Sequence, residues 1–251
     1  STTINKMCGS GLKSIMLSRQ IILSGDSKMM IAGGMENMSL SPHILLKSRT
    51  GNRLGHGKII DTMINDGLWD VYGQTHMGNC AELCAQKYNF TREQQDEFAI
   101  NSYKKSQQAQ SEGIFKSEIY PVIIKDRRGN EVVVDQDEEP NRVNFDKISS
   151  LRPAFDKNGS ITAANASTIN DGAAAVLLTT SAVAKDLNKK PKAKIVAQAS
   201  AAHKPEWFTT APVQAIKNVL DSAKLKIEDI DLFEINEAFS VVALAAQKEL
   251  D

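Results

Sequence analysis

Hydrophobic and polar positions follow helical spacing in some stretches of the chain and strand spacing in others, which predicts a mixed α/β fold. Residues 1–7 are predicted to form a strand that leads into a tight turn at Cys8. An apolar-rich helix is predicted over residues 12–23. A short buried strand, closed by a pair of glycines, is then predicted over residues 28–33.

The middle of the chain carries two helix signals and one hairpin signal. A helix is predicted over residues 77–88, and a polar helix over about residues 92–112. Thr91 and Gln94 mark the start of the polar helix, because a threonine and a glutamine at this spacing can form a capping box. Two short β-branched runs flank the turn sequence at residues 127–130, which is typical of a hairpin.

The last third of the chain returns to alternating strand and helix signals, after a stretch of small residues at 162–172. Proline is favoured in the first turn of a helix, so Pro212 is taken as a helix start. The predicted elements are a buried strand at 174–179, a helix at 181–187, a strand at 192–201, the helix opened by Pro212, a strand at 229–235 and a helix from Glu237.

Composition and charge narrow the classes of partner. The 251 residues are 41% hydrophobic and 24% charged, which is typical of a globular protein. Lysine plus arginine and aspartate plus glutamate both number 30, so the formal net charge is zero. A general nucleic-acid binder needs a cationic surplus, so we expect no nucleic-acid partner. No apolar run is long enough to span a bilayer, so no membrane partner is expected.

The chain has 3 cysteines, Cys8, Cys80 and Cys84, which are too few for a disulfide framework. We therefore expect a reducing compartment: the cytoplasm, with the mitochondrial matrix as the alternative in a eukaryote. Cys80 and Cys84 share one helix face near His76, but these residues do not complete a metal-ligand set. Core packing is the favoured role of this pair, and no metal site is predicted.

Cys8 is the sharpest chemical feature, because it is predicted to lie at a strand-to-helix turn, with Gly9 and Gly11 close by. The partial positive charge at a helix N-terminus favours the thiolate, and the thiolate is the nucleophilic form of cysteine. Glycines allow a tight backbone and a close approach of substrate. A buried structural cysteine is the alternative, and this local pattern gives the two roles equal weight.

Two polar stretches are further candidates for a site. Asn236 follows a predicted strand, where α/β sheets place ligands, and its amide can hold a water or polarise a carbonyl oxygen. A plain helix N-cap is the alternative role, and the local pattern favours it. The small residues of 162–172 would let a thin ligand approach closely, with a tight turn as the alternative. Neither a dinucleotide fingerprint nor a phosphate-binding loop occurs.

A series of segments resembles the motifs of thiolases, in the order in which that family carries them. The segments are NKMCGSGLKSI, GGMENMS, HMGNCAE, TAANASTINDGAAAVLL and FEINEAFSVV. The resemblance covers nearly the whole chain and is greatest to the acetoacetyl-CoA branch of the family. It implies an α/β protein with a layered α/β/α/β/α fold, an inserted loop domain and truncation at both ends.

The resemblance also implies domain boundaries. Residues 1–37 and 170–190 are expected to belong to the N-terminal thiolase half. Residues 38–169 are expected to form the loop domain that cradles coenzyme A (CoA). Residues 191–251 are expected to begin the C-terminal half. Family members assemble as homotetramers or homodimers, and the resemblance implies the same here.

The activity implied by the resemblance is acyl transfer: two acetyl-CoA molecules condense to acetoacetyl-CoA and CoA, or the reverse thiolysis occurs. It assigns Cys8 as the nucleophile that carries the acyl group, and Asn236 as the residue that positions a water in an oxyanion hole. No permanently bound cofactor is implied, because CoA and acetyl-CoA enter as substrates. Further positions implied to line the CoA and acyl pocket are Leu68, His76, Met77, Arg142, Phe155, Ala163, Ala164, Ser167, Ala238 and Phe239.

The chain also departs from the family pattern. Thiolases use a histidine in a Gly-His-Pro motif and a second cysteine in a Cys-x-Gly motif, and neither motif occurs here. We therefore expect a fragment that is inactive alone. Pro140 stands where some members have a potassium-binding tyrosine, which argues against potassium dependence. The alternatives are a longer-chain 3-ketoacyl-CoA thiolase and a non-catalytic CoA-binding module.

Overall fold

The computed structural model describes every residue from Ser1 to Asp251. Its strands pair into four antiparallel two-stranded sheets, with the orders β1-β8, β2-β3, β4-β5 and β6-β7. The helices are α1 Ser10–Ser24, α2 Met77–Tyr88, α3 Arg92–Ser111, α4 Glu139–Arg142, α5 Phe145–Ile148, α6 Ser181–Asp186, α7 Ala211–Ala223 and α8 Ser240–Leu250. The strands are β1 Met29–Asn37, β2 His43–Leu45, β3 Ile59–Asp61, β4 Trp69–Asp70, β5 Thr75–His76, β6 Val122–Lys125, β7 Glu131–Val134 and β8 Asp171–Thr179.

Short helical turns complete the element order, and the chain divides into two compact units. The turns are Ser48–Thr50, Met63–Leu68, Pro205–Thr210 and Ile227–Asp229. Unit one comprises Ser1–Met77, Ile169–Pro205 and Val213–Phe233. Unit two comprises Gly78–Thr168, Glu206–Pro212 and Glu234–Asp251. None of the helices combines the length and the apolar character that a membrane span requires.

Unit one is built on the β1-β8 sheet, with α1 packed against β1. Gly11 of α1 faces Gly34 of β1 so closely that a Cβ added to Gly34 would lie 3.0 Å from the Gly11 Cα. The Ser14 hydroxyl donates a hydrogen bond of 2.8 Å to the Gly33 carbonyl oxygen. Small residues on both elements therefore bring the helix backbone down onto the strand, and this contact fixes the start of α1.

Unit two has a hydrophobic core formed by α2, α8 and the loop around Ile161. Cys84, Ile161, Val241 and Ala245 are each 0% exposed. Cys80 is also fully buried, and all of the cysteines are free. The prediction that Cys80 and Cys84 pack in a core is therefore confirmed.

Elements specified by short-range signals are confirmed. The helix predicted over 77–88 is α2, the hairpin around 127–130 is formed by β6 and β7, and the helix predicted over 181–187 is α6. The capping box of α3 is formed in full, because Thr91 Oγ1 accepts from the Gln94 N–H while Gln94 Oε1 accepts from the Thr91 N–H. The mixed α/β class follows from these elements together with the β1-β8 sheet.

Several predicted strands are wrong. Residues 1–7, 192–201 and 229–235 form no strand, and the first of these ranges contributes only an isolated bridge between Lys6 and Cys8. A strand needs a neighbour that receives its backbone hydrogen bonds, and a hydrophobic pattern cannot supply that neighbour.

The predicted burial of the other two strands is also wrong. β1 and β8 form as predicted but are mostly exposed: Ile31 and Leu177, which pair on one face of the sheet, are 77% and 63% exposed, whereas Ala32 on the opposite face is 3% exposed. The helix predicted from Glu237 begins at Ser240 instead. Phe239 has the extended values φ −148° and ψ 152°, and it bridges to Ala166, which delays the helix.

Replacing Thr91 by alanine should lower the free energy of unfolding by about 1 kcal/mol, because the helix loses its side-chain cap. Urea denaturation followed by far-UV circular dichroism measures the change. Thr180→Ala is the matched control, because Thr180 caps the much shorter α6 through one bond of 3.3 Å. Its effect should be smaller, and equal losses at the two sites would contradict the capping-box explanation.

Candidate active site

Cys8 lies in a tight turn that ends where α1 begins, at Ser10. The Gly9 N–H donates to the Lys6 carbonyl oxygen at 3.0 Å, and the Ser10 N–H donates to the Met7 carbonyl oxygen at 3.0 Å. The Ser10 hydroxyl accepts from the Lys6 N–H and donates to the Met7 carbonyl oxygen, both at 2.7 Å. Backbone and side chain thus fix the turn together, and the Cys8 thiol remains exposed.

Met7 has φ 51°, in the left-handed region that non-glycine residues rarely adopt. Asn5 stabilises this backbone, because its Oδ1 accepts from the Met7 N–H at 2.8 Å. Residues held in such conformations cluster at active sites, where surrounding contacts over-determine the geometry. The turn before Cys8 contains a residue in this conformation, which favours a functional role for the exposed cysteine over a purely structural one.

The β4-β5 hairpin of unit one carries three of the predicted pocket residues. Leu68 ends the helical turn directly before β4, and His76 pairs with Trp69 across the hairpin. Met77 follows His76 and begins α2. All three predicted residues are partly buried. Leu68, His76 and Met77 lie within a stretch of ten positions in the sequence. The hairpin folds this stretch back on itself and so brings the three residues together.

Burial lowers the pKa of His76 below its ordinary value of 6.5. The side chain is therefore neutral at pH 7, and it can donate from one ring nitrogen and accept at the other.

The folded protein should become less stable as the pH drops, because the unfolded chain protonates His76 more readily than the folded chain does. The unfolded chain takes up the proton near pH 6.5, whereas the folded chain takes it up only at lower pH, so the unfolded state gains stability as pH drops through this window. Denaturation midpoints measured between about pH 5 and 7 should decline less steeply for His76→Gln than for the wild type. At about pH 8 the imidazole is neutral in both states, and the comparison there isolates effects of the substitution itself. Identical slopes for the two proteins would contradict the assignment.

In unit two, the loop 159–168 meets the segment before α8. The Ser167 N–H donates to the Ala238 carbonyl oxygen at 3.0 Å, and the Ser240 N–H donates to the Asn165 carbonyl oxygen at 2.9 Å. The structure therefore joins two predicted motifs, TAANAS and NEAF, by direct backbone hydrogen bonds. Ala163, Ser167 and Asn236 are exposed in this unit, while Ala164 and Ala238 are partly buried.

Phe155 and Phe239, the last residue of the NEAF motif, form an aromatic contact. Their ring centroids are 6.1 Å apart in an edge-to-face arrangement, and Phe208 packs on Phe239 at 6.3 Å. Gly78 of α2 lies against the face of the Phe155 ring, where even an added Cβ would overlap the ring atoms. A glycine at this position thus sets where the Phe155 ring rests.

Arg142 stands apart from the other predicted pocket residues. It ends α4, and its guanidinium contacts Glu138 at 2.6 Å, with both side chains about two-thirds exposed. Arg142 forms no ion pair with another residue of the predicted pocket.

Comparison with known proteins decides the family. The model of the thiolase N-terminal domain matches residues 1–182, and that of the thiolase C-terminal domain matches residues 189–251. The chain belongs to the thiolase family. The family membership inferred from the sequence motifs is therefore confirmed.

Individual relatives agree with this assignment. The thiolase chain is 50% identical to an acetyl-CoA acetyltransferase of Cupriavidus necator over 249 residues, which is 99% of this chain and 63% of that protein. It is 51% identical to a mitochondrial acetyl-CoA acetyltransferase of Bos taurus over 251 residues, which is 100% of this chain and 59% of that protein. The chain thus spans about three-fifths of the length of these curated relatives.

A solved structure shows the same fold. The crystal structure of the Acat5 thiolase from Ascaris suum in complex with coenzyme A superposes with a TM-score of 0.91 at 43% identity. The match covers 98% of this thiolase chain and 63% of the Ascaris chain. The thiolase fold is therefore established for the residues described.

Sequence reasoning missed Glu82 of this thiolase, which is 4% exposed on α2. Its carboxylate accepts from the backbone N–H groups of Ser160 and Ile161. A signal was present, because Glu82 lies one helical turn from Gly78 and Ala85 on the apolar face of α2. An acidic residue on such a face needs hydrogen-bond donors from elsewhere in the chain.

Proposed function

We propose that this protein is an acyl-CoA C-acetyltransferase that works through an acyl-cysteine intermediate at Cys8. The observation that carries the proposal is the exposed Cys8 thiol, held by the Ser10 turn immediately before the 15-residue helix α1. The glycine beside Cys8 leaves room for a substrate to approach the thiol. The names of the relatives, acetyl-CoA acetyltransferases, indicate the substrate class.

The reaction follows from thiolate chemistry. The Cys8 thiolate attacks the thioester carbonyl of acetyl-CoA, the tetrahedral oxyanion collapses, and CoA leaves as a thiolate while the acetyl group stays on Cys8; the α-proton that the second acetyl-CoA gives up balances the protonation of this CoA. A second acetyl-CoA then loses an α-proton, and its carbanion attacks the acetyl-cysteine. Acetoacetyl-CoA departs and the Cys8 thiolate returns, while thiolysis runs through the same steps in reverse. The general acid and base are assigned to no residue of this chain.

The remaining predicted residues take binding roles in this proposal. Asn236 holds a water that stabilises an oxyanion, which is the form of transition-state stabilisation that acyl transfer needs most. Leu68, His76 and Met77 contact the pantetheine arm and the acyl group, and Arg142 lies near the adenine nucleotide. The other pocket positions are Phe155, Ala163, Ala164, Ser167, Ala238 and Phe239. CoA is carried in with each substrate, and no permanently bound cofactor is part of the proposal.

The finer architecture is also a proposal. We infer a layered α/β/α/β/α arrangement in which residues 38–169 form the inserted loop domain. The N-terminal half takes residues 1–37 and 170–190, and the C-terminal half begins at residue 191. Assembly as a homotetramer or homodimer and a location in the cytoplasm, or in the mitochondrial matrix of a eukaryote, remain predictions.

Alkylation of Cys8 tests the proposal. Substoichiometric iodoacetamide should label Cys8 first, and acetyl-CoA should protect it. Cys80 and Cys84 serve as internal controls, because both are 0% exposed and should stay unlabelled in the folded protein. If acetyl-CoA does not slow the labelling of Cys8, the result would favour a role for this thiol other than carrying the acetyl group. Failure of Cys8 to label would favour a non-catalytic CoA-binding module.

Chain-length profiling separates the two enzyme alternatives. In a protein that supplies the general acid and base as well, acetoacetyl-CoA should be cleaved in preference to 3-ketoacyl-CoA substrates with longer chains. A preference for the longer chains would instead identify a 3-ketoacyl-CoA thiolase of broader range, with the same nucleophile.

A further inference from the structure

Glu82 places a buried carboxylate beneath the loop that carries Ser167. The carboxylate accepts from the Ser160 N–H at 2.9 and 3.0 Å, from the Ile161 N–H at 2.8 Å and from the Ser160 hydroxyl at 3.2 Å. All of these partners are N–H or O–H groups of two consecutive residues, and no ion pair involves Glu82. The carboxylate thus binds this stretch of backbone as it would bind a small ligand.

The surroundings of Ser160 are arranged around this carboxylate. A Cβ on Gly159 would overlap the Glu82 carboxylate oxygens, so only glycine lets the loop approach so closely. Gln95 is fully buried, and its Nε2 donates to the Ser160 Oγ at 2.9 Å. Because the Ser160 oxygen already accepts that bond, its hydroxyl proton is free to point at Glu82.

The same loop continues directly to the predicted CoA contacts. Asn165 Nδ2 donates to the Ser160 carbonyl oxygen at 3.1 Å, so the start of the loop is tied to its middle. The Asn165 carbonyl oxygen accepts from the Ser240 N–H, and the Ser167 N–H donates to Ala238. A displacement of Ser160 would therefore be passed through Asn165 to Ser167 and Ala238.

We propose that Glu82 is a positioning residue, whose carboxylate fixes the loop 159–168 so that Ser167 and Ala238 present the correct surface to CoA. The inference rests on the proposed function, since Ser167 and Ala238 matter in this way only if the protein binds acyl-CoA. A carboxylate is the group required, because it accepts at both oxygens and has no N–H of its own. An amide in its place turns a donor toward the donors of Ser160 and Ile161.

Acetylation of Cys8 by acetyl-CoA, followed by mass spectrometry of the whole protein, provides the test. In Glu82→Gln the acetyl-CoA concentration that gives half-maximal acetylation should rise about tenfold, while the maximal rate changes little. Tyr88→Phe is the matched control on the same helix, because it loses the 2.7 Å bond from the Tyr88 hydroxyl to Glu249 and keeps the Glu82 bonds to the loop. Its half-saturating concentration should equal that of the wild type.

The outcomes separate the two proposals. If the wild type is acetylated and Glu82→Gln has an unchanged half-saturating concentration, positioning by Glu82 is wrong while the acyltransferase remains. If the wild type is not acetylated, both proposals fail. Should Glu82→Gln not fold, Ser160→Ala decides the question, because it removes only the hydroxyl between Gln95 and Glu82. We expect about a threefold rise for Ser160→Ala, and no rise would overturn the inference.

Discussion

Replacing Cys8 by alanine should abolish acetyl transfer to the protein, with a fall in the acetylation rate of about 10⁴-fold or more, which corresponds to about 5.5 kcal/mol of transition-state stabilisation. The loss is large because covalent catalysis has no other group on which to place the acetyl. Burial raises the pKa of the Cys84 thiol, which therefore stays protonated and inaccessible at neutral pH. Cys8→Ser should lose nearly as much, because an alcohol is a much weaker nucleophile than a thiol toward a thioester.

The measurement for the Cys8 variants is the mass of the protein after incubation with acetyl-CoA. The wild type should gain the mass of one acetyl group on the peptide that contains Cys8, and both variants should gain none. Cys84→Ala is the control, because it removes a thiol from the core of unit two and leaves the Cys8 turn intact. Acetylation of Cys8→Ala at the rate of the wild type would rule out the nucleophile assigned here.

The Cys8 turn could be predicted from sequence because its determinants are local. Gly9 and Gly11 stand beside the cysteine, the helical spacing begins directly after them, and Ser10 closes the turn with bonds to residues three and four positions away. The capping box at Thr91 is local in the same sense, since its partner Gln94 lies one helical turn along. Signals of this range are contained in a short window of sequence.

The parts that sequence could not supply depend on distant partners. Residues 192–201 have a strand-like pattern but gain no pairing strand, and the pattern carries no information about a neighbour. Glu82 stands on the apolar face of α2, but the sequence does not show that its hydrogen-bond donors come from Ser160, 78 positions later. The start of α8 moved to Ser240 for the same reason, because the bridge between Ala166 and Phe239 joins segments that are far apart in the chain.

Asn165 is the second residue whose replacement should have a large effect, because it is a 2% exposed amide with every polar atom in use. Its Nδ2 donates to Asp96 Oδ1 at 3.0 Å and to the Ser160 carbonyl oxygen at 3.1 Å. Its Oδ1 accepts from the Thr162 N–H at 2.8 Å. Asp96 in turn binds Arg92 through its other oxygen at 2.8 Å. The amide therefore links α3 to both ends of one loop turn.

Asn165→Ala should lower the free energy of unfolding of unit two by about 3 kcal/mol. The alanine leaves a carboxylate oxygen, a carbonyl oxygen and an N–H group in the interior without their partner, and each unsatisfied buried group is destabilising. Urea denaturation measures the loss. Asn218→Ala is the matched control, because the Asn218 amide lies at a partly exposed site, where it donates a 3.2 Å bond to the Ser200 carbonyl oxygen and accepts a 2.7 Å bond from the exposed Gln214 side chain. Its loss should stay below about 1 kcal/mol.

Asn165→Asp separates the hydrogen-bond explanation from a simple loss of packing. The substitution keeps the shape of the side chain, but it exchanges the donor that faces Asp96 for a second carboxylate, so that two like charges meet in the interior. At neutral pH this variant should therefore be at least as unstable as Asn165→Ala. Protonation of one carboxylate restores a donor between the pair, so the deficit should shrink as pH falls below about 5. A deficit that is small and independent of pH would mean that the volume of Asn165, and not its hydrogen bonds to α3 and the loop, stabilises this part of the thiolase.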